Sequence, residues 1–297
     1  MTYQDSHLLA GSTPPYVIGH RGNPSVYPEN TLDSIKSAID LEIDGVEFDV
    51  TLTADNIPIV FHQESFKLDK ASMALKRTSC NDASCWTLNL SYSEIKKIDA
   101  GSWFDHSFSS KKIPPLKDLL SLNWKNAHPF IELKDPFYWR HKENRDWFEI
   151  FAASLKPFFE KLLARNMTFF VLSFSIPLLK HLRNIWPDIK IIPLLWNTGL
   201  YSFTERNALK EIIGLSPSGI GIYELHAIDA LAILKDALQG KNINTIVYES
   251  EYIPSNPSNI EKRKEIWQKL LSMGAKAMIT NHPAELKAFI SNSTLRS

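Results

Sequence analysis

Three short apolar runs decide how this chain reads: Tyr16-Val17-Ile18-Gly19-His20-Arg21-Gly22, Val46-Glu47-Phe48-Asp49-Val50 and Ile57-Pro58-Ile59-Val60-Phe61-His62. Each ends in or carries reactive side chains. Along a β-strand, residues i and i+2 share a face, so Glu47 and Asp49 project side by side. Two neighbouring carboxylates repel unless a cation or a shared proton lies between them. Residues 16–62 therefore pose an electrostatic problem that the rest of the chain has to solve.

Working outward, residues 22–28 read as a loop, and Glu29-Asn30-Thr31 opens a helix. Asn30 or Thr31 serves as its N-cap, with Leu32, Ile35 and Ile39 at helical spacing. Ala54-Asp55-Asn56 reads as a tight turn into the third run. Further apolar runs occur at 129–134, 169–173, 189–196, 219–223, 243–248 and 277–280. Helical patterns lie between most of them, at 116–120, 146–165, 177–185, 227–239 and 260–273, and a last helix starts at Pro283. Pro157 is expected to kink the second of these, whose phenylalanine stripe reads as core packing rather than a lipid-binding surface. Strands alternating with helices argue for a mostly parallel sheet, either a barrel or a doubly wound fold. The nine strand candidates exceed a closed barrel by one, and the weakest, 219–223, is expected outside the ring. No Gly-x-Gly-x-x-Gly and no phosphate-loop lysine is present, which argues against a nucleotide fold.

Two segments break the rhythm. The polar first fifteen residues are expected to be loosely held. Residues 63 to about 112 are rich in Ser, Asp and Lys and form an insertion, with Trp103 and Phe104 expected as a pocket wall.

The chain has 297 residues, enough for a single-domain barrel, which takes about 250. Its 33 Lys and Arg balance its 33 Asp and Glu, so there is no basic footprint for nucleic acid or an anionic membrane. Cys80 and Cys85 make neither a disulfide framework nor a zinc site and read as plain thiols in a reducing compartment. No run approaches the roughly 18 apolar residues of a spanning helix, and the start lacks the basic and apolar regions of a secretory leader. The expectation is a soluble cytoplasmic protein without an integral membrane segment. Its oligomeric state is left open.

If the runs are parallel strands, His20, Glu47, Asp49, His62 and Glu132 all fall near strand carboxyl ends, the face where parallel barrels carry their sites. Three converging carboxylates form an all-oxygen cage suited to a hard divalent ion, Mg²⁺ or Ca²⁺, rather than zinc. Arg21 and Lys134 add positive charge at the same rim, as a phosphate requires. Two histidines supply a general acid and a general base. These parts fit metal-assisted phosphodiester hydrolysis.

The residues also resemble a known family. His20-Arg21-Gly22, Pro28-Glu29-Asn30-Thr31, Glu47-Phe48-Asp49, Ile59-Val60-Phe61-His62 and Ile131-Glu132-Leu133-Lys134 resemble, in order and spacing, the glycerophosphodiester phosphodiesterase family. Asp99 to Phe104, Ile113 to Leu116, Ser173-Phe174 and Ile279-Thr280 with Pro283 extend the match. The resemblance implies a TIM (β/α)8 barrel with a small insertion after the third strand. It implies hydrolysis of a small-molecule glycerophosphodiester to glycerol 3-phosphate and an alcohol, with the neighbouring glycerol hydroxyl as first nucleophile and a cyclic phosphate that water then opens. It assigns one divalent cation to Glu47, Asp49 and Glu132, acid–base catalysis to His20 and His62, and phosphate contacts to Arg21 and Lys134. Three departures stand out. Gln63 replaces the family's usual Asp, Ile246-Val247-Tyr248-Glu249-Ser250 replaces a Trp-Thr-Val-Asn segment, and Asn281 replaces an Asp. They bear on the leaving group and substrate range, for which Tyr248 is a candidate pocket residue, more than on the reaction class.

Two other readings fit less well. The aromatic helix near 147–159 and the altered penultimate strand would suit a lysophospholipase D-like enzyme acting on lysolipids. A non-catalytic ligand-binding barrel would show gaps in the cage or the histidine pair, and the sequence shows none.

Overall fold

A computed structural model describes residues 8–9, 13–62, 67–69, 74–76, 87–134, 146–195, 203–249 and 260–293. The first strand, β1 (Tyr16–Gly19), leads through a tight turn to α1 (Leu32–Asp40). Thr31 caps that helix, its side chain accepting a hydrogen bond from Ser34 N–H, as a threonine before an amphipathic run is expected to do. β2 (Gly45–Leu52) and β3 (Pro58–Val60) follow, then the small antiparallel pair β4 (Lys67–Asp69) and β5 (Ala74–Lys76), and the short α2 (Tyr92–Ile95). The regular alternation then runs β6 (His128–Leu133), α3 (Trp147–Ala164), β7 (Phe170–Ser173), α4 (Ile176–Ile185), β8 (Lys190–Leu195) and α5 (Phe203–Gly214). It ends with β9 (Gly219–Tyr223), α6 (Ala227–Ala237), β10 (Asn244–Tyr248), α7 (Ile260–Ser272), β11 (Ala277–Thr280) and α8 (Pro283–Ser291).

Eight strands close a parallel ring in the order β1-β2-β6-β7-β8-β9-β10-β11, with β1 bonded to both β2 and β11. This is the expected TIM barrel. Period-two alternation sorts its side chains into two layers. Tyr16, Ile18, Phe130, Phe170, Leu172, Ile192, Ile246 and Ile279 fill the interior. Val17, Val46, Phe48, Ile131, Val171, Ile191 and Val247 face outward beneath the helices. The rings of Phe130 and Phe170 stack at 4.5 Å inside the barrel.

The strand outside the ring is not the one the sequence pointed to. Gly219–Tyr223 pairs with both β8 and β10 and is a full member. Its two glycines weaken the strand signal, and at Gly221 the space a Cβ would take is filled by the Leu194 side chain. The extra strand is β3, which runs antiparallel to β2, Val50 opposite Val60 and Thr51 opposite Ile59. The supposition that every run is a parallel strand therefore fails for the one delivering His62.

Smaller differences also have physical causes. The helix expected after Pro114-Pro115 is a 3₁₀ segment, Leu116–Ser121. Leu8 and Leu9, within the supposedly loose polar start, are buried inside the barrel against Tyr16. α5 fills a stretch in which the sequence signalled no helix. α3 runs through Pro157 as one continuous helix, its Phe151, Phe158 and Phe159 are buried in the outer core and its Trp147 is buried as well, which removes the aromatic motive for the lysolipid reading. Cys80, Cys85, Gln63, Ser250 and much of the insertion lie outside the described residues.

Phe130→Ala should open a cavity in the interior and cost about 3–5 kcal/mol, read from the midpoint of denaturant unfolding. A loss below 1 kcal/mol would mean that the interior is less tightly packed than described.

Candidate active site

The reactive residues gather at the carboxyl-terminal mouth of the ring. Because Val46, Phe48 and Val50 face outward, Glu47 and Asp49 must face inward, and β6 aligns Glu132 directly opposite Asp49. One carboxylate oxygen from each of Glu47, Asp49 and Glu132 lies within 4.8 Å of the others, and all three residues are buried. The fold thus brings together the pair that shares a strand face, Glu47 and Asp49, and Glu132 from a neighbouring strand.

The turn after β1 is strained on purpose to serve it. Arg21 adopts a left-handed backbone with φ 54°, a conformation that costs a side-chain-bearing residue about 1 kcal/mol or more. Three bonds fix it: Arg21 N–H donates to Glu47 Oε2 at 2.8 Å, and Arg21 C=O accepts from Asn30 N–H and from Ser34 Oγ, each at 3.0 Å. Gly22 follows at φ 95°, where a Cβ would lie 2.4 Å from Ser34 Oγ, so the chain can pass α1 this closely only with glycine.

Two cations and one amide hold the carboxylates. Arg21 Nε lies 3.3 Å from Asp49 Oδ2, and its Nη1 lies 2.9 Å from Glu29 Oε1. Lys134 Nζ lies 2.9 Å from Asp49 Oδ1 and also donates to Glu132 Oε1. Asn30 clamps Asp49 from both sides, its Nδ2 donating to Oδ2 at 2.8 Å and its Oδ1 accepting from Asp49 N–H at 3.2 Å. Four carboxylates, counting Glu29, face only two cations, so they cannot all be neutralised by charge and the cluster favours holding protons or binding a further cation.

Burial pushes the Glu47 carboxyl well above its ordinary range, and repulsion from Asp49 and Glu132 adds to the rise. Burial also raises Glu132, with Asp49 adding to it, although Lys134 opposes both. Burial alone would raise Asp49 too, but the Lys134 and Arg21 charges and the Asn30 bond outweigh it and hold that carboxyl below its range. Glu47 Oε1 is buried without a hydrogen-bond partner among the described residues. A partnerless oxygen in a cage of three hard donors fits a divalent cation such as Mg²⁺ or Ca²⁺.

His20 sits at the end of β1, its N–H donating to Thr280 C=O at 2.9 Å, with ring Nδ1 2.8 Å from Asn281 Oδ1 and Nε2 4.0 Å from Glu47 Oε2. Burial, followed by the Arg21 charge, lowers it to about 3, so it is neutral near neutral pH. β2 overshoots the ring, and β3 turns back so that Phe61 N–H bonds to Asp49 C=O at 3.0 Å, setting His62 beside the cage. His62 is lowered as well, by burial and by the Arg21 and Lys134 charges.

Of the candidate pocket residues, Trp103 donates from Nε1 to Ala100 C=O at 2.8 Å and borders a cavity of about 20 Å³ that Glu29, Asn30 and Lys112 also line. Phe104 packs edge-on between Trp103 and Phe108. Tyr248 stands inside the mouth, its hydroxyl donating to Leu195 C=O at 2.8 Å and its ring stacked on Tyr223 at 5.6 Å. In the sequence Asn30 is marked as a helix-cap candidate and as part of the Pro28-Glu29-Asn30-Thr31 motif, with no sign of a carboxylate partner. Its pairing with Asp49 became visible through the fold alone, as did the buried Glu249 behind Asn281.

A family model described as the glycerophosphoryl diester phosphodiesterase family matches residues 20–285. The chain belongs to that family. It is accordingly an enzyme of the phosphoric diester hydrolase class. A glycerophosphodiester phosphodiesterase of Bacillus subtilis is 27% identical over 277 residues, covering 90% of this chain and 83% of that protein. One from Caldanaerobacter subterraneus is 36% identical over 106 residues, 36% of this chain and 39% of that one. Among solved structures, an Oleispira antarctica phosphodiesterase in complex with the product sn-glycerol-3-phosphate aligns with a TM-score of 0.70 at 21% identity, over 94% of this chain and 98% of that one. A glycerophosphodiester phosphodiesterase from Agrobacterium tumefaciens aligns at 0.61 and 21% identity, over 93% and 100% of the two chains. At such identities these structures speak for the fold. No helix among the described residues is long and apolar enough to cross a membrane.

Because Glu47 and Glu132 hold their protons to higher pH than free carboxyls, a divalent ion must displace protons to bind. Metal-stripped protein should therefore bind Mg²⁺ or Ca²⁺ more tightly as pH rises. Calorimetry in two buffers of different ionisation enthalpy should show protons released, and pH-independent binding without release would contradict the raised carboxyls.

Proposed function

We propose that this protein hydrolyses glycerophosphodiesters to glycerol 3-phosphate and an alcohol, with one divalent cation, Mg²⁺ or Ca²⁺, at Glu47, Asp49 and Glu132. The observation that carries this reading is the buried three-carboxylate cage with two neutral histidines and two cations beside it at the mouth of a family barrel. The cation, when bound, supplies Lewis-acid stabilisation of charge on phosphate oxygens.

The residues of the chain do the rest. Arg21 and Lys134, held between the carboxylates, present positive charge toward a phosphodiester and offset charge that builds on its oxygens in the transition state. One histidine takes the proton of the neighbouring glycerol hydroxyl as its oxygen bonds to phosphorus. The other histidine protonates the departing alcohol as the old phosphorus–oxygen bond breaks. Water then opens the cyclic phosphate, with the two histidines exchanging roles. Both rings rest neutral, so the base is ready as it stands, whereas the acid has to carry a second ring proton, as an imidazolium favoured by the anionic phosphodiester beside it, before the alcohol leaves. Tyr248, whose ring belongs to the interior cluster, would meet the alcohol and select among leaving groups, with Trp103 and Phe104 of the insertion as further candidates.

Glu47→Ala should abolish both activity and divalent binding, whereas His62→Ala should cost about 10²–10⁴-fold in kcat and leave divalent binding intact. The measurements are turnover of glycerophosphocholine and titration calorimetry with the metal. If His62→Ala keeps most of its rate, the acid–base assignment is wrong. Turnover of lysophosphatidylcholine alone would overturn the proposed substrate class.

A further inference from the structure

Behind His20 lies a second buried polar group that the mechanism above does not use. Glu249, at the carboxyl end of β10, is buried, and its two oxygens receive three hydrogen bonds. Oε1 accepts from Trp267 Nε1 at 3.1 Å and from Thr280 Oγ1 at 2.8 Å, and Oε2 accepts from the Asn281 backbone N–H at 2.6 Å. The direction of the threonine bond follows from its other partner: Thr280 Oγ1 accepts from His282 N–H at 3.0 Å, so its own proton points to Glu249. The Glu249 backbone N–H is spent on Ile279 C=O at 2.9 Å, which registers β10 against β11. The carboxylate thus fixes the backbone of residue 281 from below, where β11 has ended and no strand ladder remains to do so.

Asn281 then extends its side chain in the opposite direction, Oδ1 lying 2.8 Å from His20 Nδ1. A carboxamide oxygen only accepts hydrogen bonds, so it selects the tautomer in which Nδ1 carries the proton. The remaining nitrogen, Nε2, keeps its lone pair and faces Glu47 Oε2 at 4.0 Å, toward the cage. The backbone N–H of His20 bonds to Thr280 C=O, so the histidine and its orienting residue hang on the same pair of strand ends.

We propose that Asn281 and Glu249 are positioning residues for the reaction: Asn281 holds His20 with Nδ1 protonated and Nε2 open toward the cage, and Glu249 anchors Asn281. The inference rests on the reading of His20 as one of the two acid–base groups. It deepens that reading by making His20, through Nε2, the group that first accepts the hydroxyl proton, which leaves His62, as the imidazolium, to protonate the alcohol.

The direct test is the ¹⁵N spectrum of the metal-loaded, histidine-labelled protein, with His20 assigned by its loss in His20→Asn. His20 should show a protonated Nδ1 and an unprotonated Nε2. A protonated Nε2 in the unaltered protein would overturn the proposal without any variant. Asn281→Leu removes the acceptor and should mix the two tautomers and lower kcat on the order of ten- to a hundred-fold, with KM changed far less. Asn281→Asp keeps an acceptor at the same place and should restore the tautomer and most of the rate. Glu249→Gln keeps the volume but cannot accept all three hydrogen bonds, and should fall between unaltered protein and Asn281→Leu in both rate and spectrum. Divalent binding unchanged in Asn281→Leu shows that the barrel is folded and the cage intact. An Asn281→Leu protein with unchanged tautomer and rate would overturn the relay. A His20→Asn protein with full activity would instead overturn the acid–base reading, while the tautomer spectrum still decides whether the relay exists.

Discussion

Mutual repulsion among Glu47, Asp49 and Glu132 governs the mouth of this barrel. Carboxylates this close and this deeply buried are not tolerated together without compensating charge, because both desolvation and like-charge repulsion act against the ionised forms. Every neighbouring element bends to that demand. The left-handed turn at Arg21 brings a backbone N–H onto Glu47 and a guanidinium onto Asp49, and the end of β6 brings the Lys134 ammonium between Asp49 and Glu132. Asn30, in a left-handed conformation at the base of α1, supplies the remaining donor. Beneath the carboxylates, Ile18, Phe130, Phe170 and Ile246 form an apolar layer. That contrast sharpens the field at the site, since charges above an apolar floor are poorly screened.

Much of this was legible in the sequence because strand periodicity is short-range. Glu47 and Asp49 two residues apart, and Glu132 and Lys134 two apart, fix which side chains share a face however the strands are arranged. Helix boundaries were readable for the same reason: Thr31, Gly240 and Gly274 act on their own turns, both glycines taking positive φ just beyond a helix. What escaped the sequence were relations between distant segments. Nothing local in Pro58-Ile59-Val60 states whether it runs with or against β2, and the reversal is set by the turn at 53–57 and the partner it finds. Gly219 and Gly221 depress the apparent strand propensity of a run whose membership of the ring comes from its neighbours. Glu249 and Asn281 are 32 residues apart, and Asn281 and His20 are 261 apart, so their chain of hydrogen bonds exists only once the barrel has closed.

The departures from the family pattern at 246–250 and 281 look different with the fold in view. Glu249 and Asn281 are neither solvent-facing variants nor members of the metal cage. They occupy one buried hydrogen-bonded unit between the ends of β10 and β11, and Trp267 of α7 joins it from outside the ring. Tyr248, on the opposite face of the same strand, looks into the mouth and stacks on Tyr223. One strand end thereby reaches both the hydrogen-bonded support of His20 and the interior of the barrel mouth.

The return strand β3 has a mechanical meaning. His20 stands on the ring, whose interior and outer layers together are the main core of the protein. His62 stands on β3, which is gripped between β2 and residues 113–115 through Val60 N–H to Pro114 C=O at 2.9 Å and the Ile59–Pro115 bridge. Beneath it is a separate small core of Ile59, Phe61, Leu75, Ile95, Ile98, Ala100 and Ile113. The two histidines are therefore mounted on different foundations, one shared with the whole barrel and one belonging to the insertion. Loosening the smaller foundation would move one of the two histidines proposed to transfer protons away from the other while the barrel stayed folded. The insertion is then the part of the chain in which changes of sequence retune the alignment of the two groups at the least expense to global stability.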